Sequence, residues 1–288
     1  MKKCFVMVLL CCLLVAGTAF AKTGTLLVAF GTSMDSARPA IDDIEKAYKK
    51  AAGNEPVLLA FTSDIIRNKL AKEGKPVLSV NAAMNELAAQ GVTDLKIQSL
   101  HIAPAEEYNQ LERMVVKNIT KNPGVFKTVK VGYPLLVSEK DLDAVVKVVL
   151  ASLPKDRKPG DAVVLMGHGS RRQAVTAYAA LAGAVRALDA RVHVGTMSGA
   201  LELEALLPRL TSRRVWLMPL LSVVGRHTLE DMAGDAPDSW RSRIEAAGHT
   251  CAPVVRGTAE YRAFAAIWLR HLEDAVAALP TVKKDEEK

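Results

Sequence analysis

Cysteine is scarce in this 288-residue chain and badly placed for bridging. Of the four, Cys4, Cys11 and Cys12 sit near the start and only Cys251 follows. A disulfide framework is thereby excluded for everything downstream. Aromatic residues are few, at 5%, and the charges are dispersed: 38 Lys and Arg stand against 31 Asp and Glu, a formal +7. The absence of a polybasic run or of aromatics interleaved with cations argues against a nucleic-acid surface. After the first segment no apolar run is long enough to span a bilayer. No Gly-x-Gly-x-x-Gly follows the first strand and no phosphate loop ends in Gly-Lys-Ser/Thr, so a nucleotide site has no support. The Gly-x-Ser-x-Gly elbow of α/β-hydrolases is missing too. What remains is apolar over 50% of its residues, enough for a large core and incompatible with a disordered chain.

The N-terminus has a targeting signature. Met1-Lys2-Lys3 is a short positive segment, Cys4 to Ala16 is apolar, and Ala19-Phe20-Ala21 is a small-x-small cleavage site before Lys22. Residues 1–21 read as a signal peptide rather than an anchor, because the run is short of the ~20 residues a span requires. Cleavage would take three cysteines and two lysines with it, moving the formal charge from +7 to +5. The expected destination is the periplasm, as a protein with no membrane span.

The rest reads as two copies of one α/β unit. In the first, strands are expected at 26–30, 56–61, 95–102 and 125–133, with helices near 36–52, 77–90, 106–118 and 139–152. Strands separated by helices of this length pair in parallel through right-handed crossovers. Residues 154–161, rich in Pro and charge, form a linker, after which Ala162–Met166 runs into Gly167-His168-Gly169 just as Val28-Ala29-Phe30 runs into Gly31. Further strands are expected at 191–197 and 214–221 and around Val254-Val255, and a closing helix from Tyr261 to Ala278. The domain reading is 22–153 and 162–280, with a charged tail at 281–288. The fold class is α/β: two similar Rossmann-like domains, each a parallel sheet flanked by helices, facing across a central cleft.

Internal symmetry alone nominates a site. Parallel sheets bind ligands at the carboxyl ends of their strands. His168 matches Phe30, and laying Leu100 on Leu220 sets Glu107 opposite His227. His168, His227 and Glu107 therefore leave strand ends and converge on the cleft. Imidazole and carboxylate together suit Fe, Co, Ni or Zn, and the same groups take up protons near neutral pH. The competing reading is a histidine hydrogen-bonded to its own glycine turn. His101 ends a strand and admits two placements, lining the cleft or packing beneath it. His193 reads as a strand residue and His249 and His271 as surface or helix residues, none with a role; Met218 and Met232 read as core. Arg171 and Arg172 either pair with substrate carboxylates or are solvated, the second reading being preferred.

At these residues the chain resembles the anaerobic cobalt chelatases of the CbiK type, class II sirohydrochlorin cobaltochelatases related in fold to ferrochelatase. The resemblance is carried by Leu27 to Ser33, Ala60 to Ser63, Gln98 to Ile102 with Glu106-Glu107-Tyr108, Met166 to Gly169, Leu217 to Leu220, and His227 with Asp231 to Asp235 and Asp238-Ser239-Trp240. It implies insertion of Co2+ into sirohydrochlorin, a step toward cobalamin, without a nucleotide. His168 and His227 would then be the metal-binding, proton-accepting histidines and Glu107 their acidic partner; the partners would be an anionic tetrapyrrole and a divalent metal. Two positions depart from the family pattern. Ser198 stands where the family often has an acidic residue, removing one carboxylate, and Arg226 stands where Asp is common, setting a cation beside His227. Glu202 and Glu204 are the nearest replacements. A non-catalytic periplasmic metal or tetrapyrrole carrier, or a chelatase for Fe2+ or Ni2+, is the alternative. Haem binding and a homo-oligomer are left open.

Overall fold

The computed structural model describes residues 21–169 and 173–274. The charged tail, Arg171, Arg172 and, apart from Ala21, the expected signal segment lie outside the described residues. No helix among those described is long and apolar enough to cross a membrane.

The first unit runs β1 (Thr23–Ala29), α1 (Arg38–Ala52), β2 (Val57–Phe61), α2 (Asp64–Lys72), α3 (Val80–Ala89), β3 (Asp94–Ser99), α4 (Glu106–Lys121), β4 (Thr128–Gly132) and α5 (Glu139–Ala151). The second runs β5 (Ala162–Gly167), α6 (Gln173–Leu188), β6 (Val192–Thr196), α7 (Leu203–Leu206), β7 (Arg214–Leu220), α8 (Trp240–Ala246), β8 (Thr250–Pro253) and α9 (Arg262–Glu273). A π-helical turn, His227–Met232, lies between β7 and α8. Both sheets are parallel and share one order: β2-β1-β3-β4 and β6-β5-β7-β8. The central strands β1 and β5 are buried almost throughout, as expected where helices cover both faces.

Local chemistry explains most of the boundaries. α1 carries Pro39 in its first turn, where no N–H is needed, and buries the stripe Ala40, Ile41, Ile44 and Tyr48. α5 opens with a capping box between Ser138 and Asp141. α2 went unanticipated; Ser63 caps it by accepting from the Ile66 amide at 3.3 Å. β3 stops at Ser99 rather than Ile102: its register with β1 ends at Val28 and Ser99, Leu100 still donates to the Val28 carbonyl, and the carbonyls of His101 and Ile102 then accept from Leu135 and Leu136 in the loop after β4. The last strand lies at Thr250–Pro253, ahead of the apolar pair expected to mark it. It is an edge strand of intermediate burial, where hydrophobicity is a poor guide and Pro is tolerated.

The closing helix crosses between the units. α9 lies against β3 and β4 of the first sheet and against α5. Trp268, fully buried, donates its indole N–H to the His101 carbonyl at 3.2 Å. His271, also buried rather than on the surface, meets the Tyr133 carbonyl at 3.0 Å and the Asp141 carboxylate at 2.7 Å. Asp141 also pairs with Arg270 at 2.8 Å. One hydrophobic core consequently spans both units, joining Leu27, Ile44 and Leu135 to Leu165, Leu181 and Trp268, while separate clusters fill the remaining face of each sheet. Two further hydrogen bonds tie the units beside the cleft: Thr32 Oγ1 to the Val224 carbonyl at 3.0 Å, and Ser222 Oγ to the Leu100 carbonyl at 2.5 Å.

Candidate metal and tetrapyrrole site

A cavity of about 640 Å3 opens at the carboxyl ends of both sheets. That lies inside the roughly 300–1,000 Å3 range of small-molecule sites. Both units line it, and the three residues nominated by symmetry all face it: Glu107 from the first, His168 and His227 from the second.

Strand register confirms the equivalence that placed them. Ala29 pairs with Phe61 as Gly167 pairs with Thr196, so Phe30 and His168 are counterparts. Val28 pairs with Ser99 as Met166 pairs with Pro219, so Leu100 and Leu220 correspond, and with them Glu107 and His227. Each first strand ends in a turn requiring glycine. Gly31 has φ +107° and packs on Phe61; Gly169 has φ +76°, and a Cβ there would lie 2.3 Å from the Ser198 carbonyl oxygen.

Each imidazole has one nitrogen committed to an acceptor. His168 Nδ1 lies 3.1 Å from the Gly169 carbonyl and 3.3 Å from Glu107 Oε1. His227 Nδ1 lies 2.5 Å from Asp231 Oδ2, one turn further on. Carbonyls and carboxylates only accept, so in the neutral form of each ring Nδ1 carries the proton and Nε2 the lone pair. The rings are 5.2 Å apart between centroids in an edge-on arrangement, and both side chains are 45% exposed. The hydrogen bond to the glycine turn is therefore real, and it orients His168 for the cavity rather than withdrawing it.

Asp231 and Tyr178 were not anticipated. Asp231 was legible as an acid four residues after His227, a spacing that meets on a helical turn. Tyr178 is buried behind the His168 turn: a Cβ on Gly167 would meet its ring at 2.5 Å. Its hydroxyl takes hydrogen bonds from the backbone at His168 and Gly169, and burial, helped by the Glu107 charge, pushes the phenol well above its ordinary range. His101 is both a cavity-lining and a packed residue. Its Nδ1 meets Ser99 Oγ at 2.8 Å, its Nε2 has no partner among the described residues, and burial lowers it to about 4, so it is neutral at ordinary pH.

The two departures from the family pattern resolve differently. Ser198 lies beside Gly169 but outside the cavity lining, and neither proposed substitute replaces a carboxylate there. Glu202 accepts from the Gly199 amide at 3.2 Å, and Glu204 pairs with Arg243. Among the described residues, no group of three His, Cys, Asp or Glu is spaced to hold a metal. Arg226 is turned onto Glu230, Nε to Oε2 at 2.6 Å, so two parallel i,i+4 pairs share the π-helical turn: Arg226 with Glu230, and His227 with Asp231.

The family model for cobalt chelatase (CbiK) matches residues 23–277. The chain belongs to that family. It is 45% identical over 261 residues to the sirohydrochlorin cobaltochelatase CbiKC of Nitratidesulfovibrio vulgaris, covering 90% of this chain and 92% of the relative. It is 34% identical over 260 residues to the sirohydrochlorin cobaltochelatase of Salmonella typhimurium, covering 88% and 97%. Among solved structures, the cobalt complex of the sirohydrochlorin chelatase SirB from Bacillus subtilis subspecies spizizenii superposes with a TM-score of 0.60 at 12% identity, covering 88% of this chain and 95% of that one. This similarity establishes a shared two-unit chelatase fold.

Proposed function

We infer that this metal chelatase inserts Co2+ into sirohydrochlorin, releasing two protons and using no nucleotide. The observation that carries the reading is the pair of neighbouring imidazoles, each with Nδ1 held by an acceptor and Nε2 without a partner among the described residues, in a cavity built from both units. Insertion trades two pyrrole N–H protons for one dication, so the site must present lone pairs first to the metal and then to those protons. His168 and His227 do both, because a neutral imidazole is a metal ligand and, near neutral pH, a base. Glu107 and Asp231 fix the tautomers and stabilise each ring once it is protonated. Two protein ligands suffice to deliver the ion, because the macrocycle's nitrogens complete its coordination. The apolar wall of Phe30, Ile65 and Leu229 suits the face of the ring.

The same reading includes export: the segment 1–21 directs the protein to the periplasm, and Lys22 becomes the new N-terminus. The test is to mix residues 22–288 with sirohydrochlorin and Co2+, Fe2+ or Ni2+ in parallel. Insertion faster than in the protein-free control, and fastest with Co2+, is expected. Binding of the macrocycle with no acceleration for any metal would make the protein a carrier instead.

A further inference from the structure

The cavity lining includes two cations that the metal chemistry leaves unused. Lys69 projects from α2 of the first unit, is exposed, lines the cavity, and has no ion-pair or hydrogen-bond partner for its ammonium among the described residues. Arg226 lines it from the second unit, with its side chain 79% exposed. Glu230 engages only Nε, which holds the planar guanidinium while its terminal nitrogens have no partner among the described residues. The same cavity is lined by Phe30, 45% exposed, and by Ile65, 83% exposed and one turn before Lys69 on α2. Together with Leu229 they give the cavity an apolar wall. A cavity lined by apolar side chains and by one cation from each unit complements a flat, apolar plate whose rim carries carboxylates.

We propose that Lys69 and Arg226 form a two-sided cationic rim that binds the peripheral carboxylates of the tetrapyrrole and selects polyanionic macrocycles over neutral ones. The proposal rests on the chelatase reading for the identity of the macrocycle. It also gives Arg226 a purpose that its position beside His227 otherwise lacks. Glu230 offsets the charge locally, and the free face of the guanidinium offers a carboxylate two parallel N–H donors.

Binding of metal-free sirohydrochlorin, followed by quenching of its fluorescence, tests this without cobalt, so the proposal and the chelatase reading fail separately. Lys69→Ala and Arg226→Ala should each raise Kd about 3- to 10-fold, as expected for losing one charge-assisted contact. The double substitution should raise it further and flatten its dependence on salt. Arg226→Lys, which keeps the charge but loses the fork, should recover part of the affinity. In the insertion assay KM should rise with kcat held within about twofold, the signature of binding lost equally from ground and transition states. The methyl-esterified macrocycle should bind wild type and variants alike. Unchanged Kd in both single variants, or a loss confined to kcat, would overturn the proposal.

Discussion

The two halves share strand order, a left-handed glycine turn after the first strand and a helical turn after the third, yet they divide the chemistry unequally. Where the second unit places His168, the first places Phe30; where the second has His227, the first has Glu107. Even His101 has an unlike counterpart, Leu221, one residue past the matched leucines. A duplicated frame supplies equivalent exits into one cleft, and substitution at those exits gives one side two imidazoles and the other a phenyl ring and a carboxylate. The symmetry thus fixes which positions line the cleft, and the asymmetry which side chains stand there.

The most severe break of this comparison is to remove its imidazoles. His168→Ala and His227→Ala should each slow Co2+ insertion by about 10^2- to 10^4-fold, the usual yield of a positioned base, in initial-rate assays. Phe30→Ala, at the matched position, should slow it less than about tenfold, and mainly through KM, as a lost apolar contact does. Next come the acids behind each ring. Asp231→Asn and Glu107→Gln should each cost about 10- to 100-fold in insertion rate, because the amide no longer fixes the tautomer or balances a protonated ring.

The glycine turns sharpen the comparison in another currency. Gly31→Ala and Gly169→Ala both force a side chain into a left-handed conformation and should each lower stability by about 1–3 kcal/mol in denaturant titrations. Only Gly169→Ala should also slow insertion strongly, because its turn carries His168. The mildest contrast concerns His101 and Leu221. Burial depresses His101 from about 6.5 in the unfolded chain to about 4 in the folded one, so the unfolded state binds the proton first. Its contribution is whole above pH ~6.5 and is lost as the pH falls toward 4, by at most about 1.4 kcal/mol per unit. His101→Leu, which makes the first unit resemble the second, should reduce that loss in urea midpoints compared at pH 7 and pH 5. An equal loss in the variant would contradict the assignment.

Internal repetition made much of this visible from sequence. Matching Gly167-His168-Gly169 to the turn at Gly31, and Leu220 to Leu100, found the cleft residues because parallel sheets of one order put equivalent residues at equivalent exits. Features set by packing between units were not visible. The buried face of α9, with Phe264, Ile267, Trp268 and His271, marks an amphipathic helix but not the sheet it covers. α2 is short and directly abuts β2, so no separate period announced it. Tyr178 meets the His168 turn only through contacts that the fold creates, whereas Asp231, four residues after His227, was legible from its spacing.

Cobalt-edge X-ray absorption of the Co2+-loaded protein tests the central claim most directly, since it counts the imidazoles around the ion. The account predicts two histidine nitrogens in wild type, and one after either His168→Ala or His227→Ala. An all-oxygen shell, or a spectrum that neither substitution alters, would contradict it.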